Sequence, residues 1–332
     1  MTRDRLHFAM PRPVPPGLWR STPPAMFPPI LGTLALALAW LGGAGAFGLP
    51  LGLAQMGAGM AVALGLFAVT AYAVKLIRRP AVLADELTVL PGRTGVAAGV
   101  LSLYLLAALI GVMASPGLGR GLLIATMLLH AAYLAVLVSV LRRGPAEQRR
   151  VTPAFHLGFT GWIVAARAAL VLGWPGLAGW LFWPSLAAAL VIWGLSLAQA
   201  ARMRVPPPLR PMLAIHLAPV ALFGTVALGL GWTGAGTAFA WAALAGVLAL
   251  AVGGRWLLAD GFSPLWGALT FPLAATAGLW VTLWRAVPTE SHRLVAGGTL
   301  VVATLVVLPI LFLVLKAWAQ GRLAARTNAA IA

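Results

Sequence analysis

The sequence predicts an all-α polytopic membrane protein with ten transmembrane helices arranged as five hairpins. Three observations carry that reading. First, 61% of the 332 residues are hydrophobic and only 9% are charged, against about 25% charged in an ordinary soluble protein. Second, the apolar residues fall in long unbroken runs, and a bilayer-spanning helix needs about 20 of them. Third, basic residues collect at the ends of the runs and favour alternate connections, as cytoplasmic loops do. Because the runs are continuously apolar and do not alternate with polar residues, a transmembrane barrel is not expected.

The chain opens on Met1–Phe27, which is basic (Arg3, Arg5, Arg12, Arg20), Pro-rich and without helical periodicity. It is expected to be an irregular cytoplasmic tail. It does not read as a cleavable signal peptide, so the first apolar run is expected to be a retained helix. Apolar runs then follow at about 28–46, 56–77, 95–115, 119–141, 153–173, 176–201, 211–231, 234–256, 264–285 and 291–318. They define a ten-helix domain over 28–318, and 319–332 is expected to be a second cytoplasmic tail. The breaks hold turn formers, such as Gly48-Leu49-Pro50, Ser115-Pro116-Gly117, Trp174-Pro175-Gly176 and the segment 231–236.

With the connections grouped by parity, 19 of the 23 Lys and Arg fall on one side, three (Arg120, Arg285, Arg293) on the other, and Arg167 lies inside a run. The positive-inside rule therefore places both termini in the cytoplasm of an inner (plasma) membrane. Connections after odd runs are short and those after even runs are longer and basic, which makes five hairpins. The odd runs start near 28, 95, 153, 211 and 264. A repeat on this scale suggests a quasi-symmetric bundle with a pathway at the repeat interface.

The formal charge of +17 would raise nucleic acid as a partner for a soluble chain. Here the cations flank apolar runs, so the expected partner is the lipid bilayer, and no nucleic acid. The absence of cysteine excludes disulfides, iron–sulfur clusters and thiol catalysis. No Ser–His–Asp set, P-loop or zinc-ligand spacing is present, so neither an enzyme, a metal site nor a cofactor is expected.

A few residues inside the runs could carry chemistry. Pro219 relieves the carbonyl of Ile215, and Pro272 that of Ala268, each kinking its helix. In a membrane such carbonyls need a partner or a wet cavity, so the prolines serve either packing or a central conduit. Phe271, next to Pro272, is either a packed aromatic or a plug. Arg167 is the one cation deep in a run, and burying it costs about 2.5–3.5 kcal/mol on insertion scales. It either snorkels to the outer end or faces water or an anion. Thr160, Thr225, Thr270, Thr276 and Thr282 can line a pore or join helices. Helix-borne histidines (His130, His156, His216) can ligate haem, but no pair shares a helix, and structural hydrogen bonding is the expected role. No carboxylate crosses the membrane region, which argues against a proton-coupled carrier.

The chain resembles the tellurite-resistance/dicarboxylate transporter family, which includes bacterial TehA and the plant slow-type anion channels. The likeness spans nearly the whole membrane region. Phe27-Pro-Pro-Ile-Leu-Gly-Thr-Leu-Ala-Leu is similar to the opening of the family's first helix, and Thr152-Pro153 opens helix 5 as the family's Thr-Pro does. Leu209-Arg-Pro-Met-Leu-Ala-Ile-His-Leu-Ala-Pro219 resembles its helix 7, and Leu265-Trp-Gly-Ala-Leu-Thr-Phe-Pro272 its helix 9.

The resemblance implies a quasi-fivefold fold, with odd helices forming an inner pore ring and even helices an outer ring, assembled as a homotrimer. It implies an anion channel or anion-permeable transporter for small inorganic or carboxylate anions. Phe271 would be the pore gate, and Pro219 and Pro272 the kinks lining the pore. Arg167, Thr160, Thr225, Thr270 and Thr276 are candidates to face it. The alternative is a coupled carrier or exporter of small anions such as C4-dicarboxylate, sulfite or tellurite. The sequence departs from the family at Pro28-Pro29, where glycine is usual, and at Gly158 and Gly161, which replace a mid-helix proline. Arg167 matches no family feature.

Overall fold

The computed structural model describes residues 17–332; the tail expected over 1–27 lies outside the described residues for 1–16. The chain folds into helices, several of which carry a proline in their first two positions, where its missing N–H is not needed. In chain order these are α1 (Phe27–Ala44), α2 (Leu51–Arg78), the short α3 (Val82–Thr88), α4 (Leu90–Met113) and α5 (Pro116–Arg143). Then come α6 (Trp162–Val171), α7 (Pro175–Ala200), α8 (Leu217–Gly229), α9 (Thr233–Val252) and the single turn α10 (Gly254–Leu257). The chain ends with α11 (Thr270–Ala286), α12 (Glu290–Ala319) and α13 (Arg322–Arg326). Side chains cap two outer starts: Ser115 accepts from the Leu118 N–H, and Thr289 from the His292 N–H, each filling one unsatisfied donor of a first turn. Gly48, Gly173 and Gly231 take left-handed φ in the turns after α1, α6 and α8, a conformation that glycine alone adopts without steric cost.

Among the described residues, nine helical stretches are long and apolar enough to cross a membrane, and His156–Val171 is a shorter apolar helix. The structure is all-helical among the described residues. It differs from the sequence reading in several places. The fifth run, expected as one helix over 153–173, is a π-turn (His156–Thr160) joined at Gly161 to a ten-residue α6. The basic connection after α2 contains α3, too short to show a period. The last residues of the expected irregular tail, Pro24–Met26, form a buried 3-10 turn leading into α1.

The helices divide into two burial classes. α1, α4, α6, α8 and α11 are buried on nearly all faces. The others bury one stripe. In α5 it is Gly119, Leu123, Thr126, His130, Tyr133, Leu137 and Leu141, and in α12 it is Ala296, Leu300, Ala303, Val307, Ile310, Val314 and Ala317. Steps of three and four residues keep such a stripe on one side of a helix. The faces turned away are also apolar: Trp180 is 83% exposed and Val252 91%. So much outward hydrocarbon needs lipid as its solvent.

Packing follows the same division. α1 lies against α4 and α11, α4 against α6, α6 against α8, and α8 against α11, a closed circuit. Each member also packs on the long helix that follows it: α2, α5, α7, α9 and α12 respectively. At the end where the circuit helices begin, the segment before α1 is tied to the end of α2 and to the C-terminal residues. Arg79 donates to the Ile331 carbonyl at 2.8 Å, the Ala332 N–H to the Arg20 carbonyl at 3.0 Å, and Lys75 Nζ to the Thr22 carbonyl at 2.8 Å.

Candidate functional site

Three helices of the circuit change their winding part-way along. A 3-10 stretch, Pro207–His216, precedes α8, another, Pro264–Leu269, precedes α11, and the π-turn His156–Thr160 precedes α6. Pro219 and Pro272 each hold the third position of their α-helix. Proline cannot donate to a carbonyl in the preceding turn, so each marks the joint where the 3-10 stretch gives way to α-helix. By contrast Pro184 and Pro309, which the sequence reading passed over, lie inside continuous α7 and α12. At the third joint Gly161 has no room for a side chain, because a Cβ would stand 2.8 Å from Leu101 and 3.0 Å from His130.

The joints surround a string of three cavities of about 10 Å³ each, each with room for about one water. The first, lined by Ala25, Pro91, Met212 and Pro264 among others, lies where the circuit helices begin. It shares Pro28, Thr94 and Ala268 with the second. The second draws its wall from every member of the circuit or its leading turn: Leu31, Ala98, Leu157, Ala218 and Phe271. It is therefore central. The third is lined by Leu101, Thr160, Val164, Pro219 and Leu222, and also by Phe271. The second and third cavities share Leu157, Ile215, Ala218 and Phe271. The Phe271 side chain, 3% exposed, is the largest of these partitions.

The remaining candidates are distributed as follows. Pro272 lines the second cavity, Pro219 and Thr160 the third. The hydroxyls of Thr225 and Thr276 donate to carbonyls one turn back, those of Ala221 and Pro272, and Thr282 does the same with Gly278. Thr276 lines a peripheral groove between α9, α11 and α12. Thr270 bonds the Pro28 and Gly267 carbonyls and packs on Gly32, joining α11 to α1. Arg167 is buried in α6, and its Nη1 has no hydrogen-bond partner.

Sequence reasoning missed a histidine pair beside the third cavity. His156 Nε2 lies 3.0 Å from His216 Nδ1, and His156 Nδ1 lies 3.2 Å from Thr160 Oγ1. One imidazole must donate and the other accept, so two neutral rings satisfy each other. The available signal was the repeat: the two residues lie three and five positions into the runs starting at 153 and 211. His130 is held differently. Its Nε2 meets the Gly158 carbonyl at 2.9 Å and so donates, which leaves Nδ1 to accept from the Tyr104 hydroxyl at 3.1 Å. Its ring stacks on Trp162.

Other buried charge lies at the end where the segment before α1 meets the C-terminal residues. Lys75 Nζ and Glu86 Oε1 are 2.5 Å apart with both side chains fully buried. Burial pushes the Glu86 carboxyl above the usual carboxylate range, against the pull of Lys75. Arg93 donates to the Leu87 and Gln148 carbonyls.

The family model for SLAC1, the voltage-dependent anion channel, matches residues 21–315. The chain therefore belongs to this family, which includes TehA and the plant SLAC1 channels. No curated protein matches it.

Proposed function

We propose that this family member is an anion channel of ten transmembrane helices in five hairpins, its pathway running inside the circuit α1–α4–α6–α8–α11 and closed by Phe271. The observation that carries the reading is the position of Phe271: it is the largest of the four side chains shared by two adjoining cavities, one of which is walled by all five circuit helices or their leading turns. A ring of hydrocarbon at that level bars a hydrated ion, and displacing one aromatic side chain joins the cavities. The fivefold inner and outer rings are supported by the closed packing circuit and by the two burial classes. Because the circuit helices all begin at one end, their N-terminal dipoles add positive potential there. The Arg- and Lys-rich connections at the same end concentrate anions. The charge asymmetry supports an inner-membrane orientation with both termini cytoplasmic. The family resemblance suggests a homotrimer, to be tested by mass measurement in nanodiscs.

The test is current across a planar bilayer for wild type and Phe271→Ala. The wild type should be nearly silent and the variant should conduct anions at least roughly tenfold better. Unchanged current with the variant inserted normally overturns the gate. Saturable, gradient-coupled flux in place of ohmic current supports the carrier reading, with C4-dicarboxylate, sulfite or tellurite as trial substrates.

A further inference from the structure

Two helices independently place Arg167 on the axis of the circuit. On α6, Arg167 follows Ile163 by four residues, Val164 by three and Thr160 by seven, and all three line the third cavity. Residues so spaced share a helix face, so Arg167 continues the lumen-facing stripe one turn further on. From the other side, its Nη2 lies 2.9 Å from where a Cβ would stand on Gly278 of α11. Gly278 follows Phe271 by seven residues, which puts it on the same face of α11, about 10 Å along. α6 and α11 are not neighbours in the circuit, since α8 stands between them. A side chain that leaves α6 and reaches α11 crosses the interior.

The chemistry at that point is incomplete. A guanidinium keeps its charge and offers five N–H donors. Arg167 Nη1 is buried without a partner. The ion pairs among the described residues are Lys75–Glu86, Arg79–Asp85 and Arg293–Glu290, and none reaches it. A buried charge needs a counter-charge and acceptors, and the described residues provide none here. Gly278, by omitting a side chain, provides the space.

We propose that Arg167 is the cationic centre of a binding site for one small monovalent anion, in the lumen beyond Phe271, with Gly278 keeping room for the guanidinium. The proposal rests on the lumen being the anion pathway. The planar fork of the guanidinium suits a planar oxyanion, so nitrate is the probe and gluconate the bulky reference.

The experiment is thermal unfolding of the full-length protein in nanodiscs, titrating nitrate against gluconate at constant ionic strength. The wild type should rise by about 2–4 °C, saturably, with nitrate several times above its dissociation constant. Arg167→Met should lose the rise, and in gluconate it should melt at or above the wild-type temperature, since it removes an uncompensated charge. Gly278→Ala should weaken the response by crowding the guanidinium, and Arg167→Lys should keep part of it. A wild type insensitive to nitrate overturns the site. So does Arg167→Met with the full response, or with a lower melting temperature in gluconate, which marks a structural arginine. Should Arg167→Met fail to fold, Gly278→Ala decides: a wild-type response there overturns the cradle. Binding is read without current, so a silent Phe271→Ala with an intact nitrate response defeats the channel reading and leaves this site standing.

Discussion

The molecule buries cationic side chains in two regions and treats them in opposite ways. Where the segment before α1 meets the C-terminal residues, Lys75 is neutralised by Glu86 and also donates to the Thr22 carbonyl, and Arg93 donates to two carbonyls. Both cations there have partners, although Glu86 Oε2, the Tyr72 hydroxyl and Gln148 Oε1 are left without one. Inside the circuit, Arg167 has no counter-charge among the described residues, although it stands among five helices that could have supplied one. The first region serves as a fastening. It joins α2, α3 and the segment before α1, and ordering those elements is its effect. The second fastens nothing, since the arginine approaches α11 at a glycine. Paired charge marks architecture, and unpaired charge marks a place completed by a ligand.

That contrast is open to mutation, and the largest effect is expected at the fastening. Lys75→Met strands the Glu86 carboxylate and should destabilise by about 3–5 kcal/mol; denaturation in detergent measures it. The double change Lys75→Met with Glu86→Leu should recover most of that loss, because it removes both charges. A smaller effect is expected at the histidine pair. His216→Ala leaves His156 Nε2 without its ring partner and should destabilise by about 1–3 kcal/mol. Tyr104→Phe removes one hydroxyl from His130 and should lose about 1 kcal/mol. Thr276→Val, at the peripheral groove, should leave anion current unchanged; a changed current would place α11's other face on the pathway.

The positions of the spans were legible because hydrocarbon and the bilayer demand the same thing of a helix. Which spans are inner was less so. The stretch Pro207–Gly229 and α9 have the same mean hydropathy, yet 78% of the first is buried and 17% of the second. Lipid and protein interior are alike to an apolar side chain, so hydropathy cannot separate them; the inner and outer assignment came from the family resemblance instead. The joints were half legible. Pro219 and Pro272 announced a break, but the π-turn before α6 rests on glycines that signal only permission. The pairing of His156 with His216 depends on two helices meeting and leaves no local pattern. The same holds for the C-terminal residues, whose carbonyls and amides meet Arg79 and Arg20 across the length of the chain. Arg167 was visible as an anomaly from the start; its direction required the ring.

On the proposed pathway, anions pass Phe271 and then meet the charge of Arg167. The most direct measurement is the reversal potential across a bilayer under a salt gradient for Phe271→Ala and for Phe271→Ala combined with Arg167→Met. The single variant should show an anion-selective leak, and the double a marked loss of that selectivity. Equal selectivity in the two, or a leak that never discriminates between anions and cations, would contradict it.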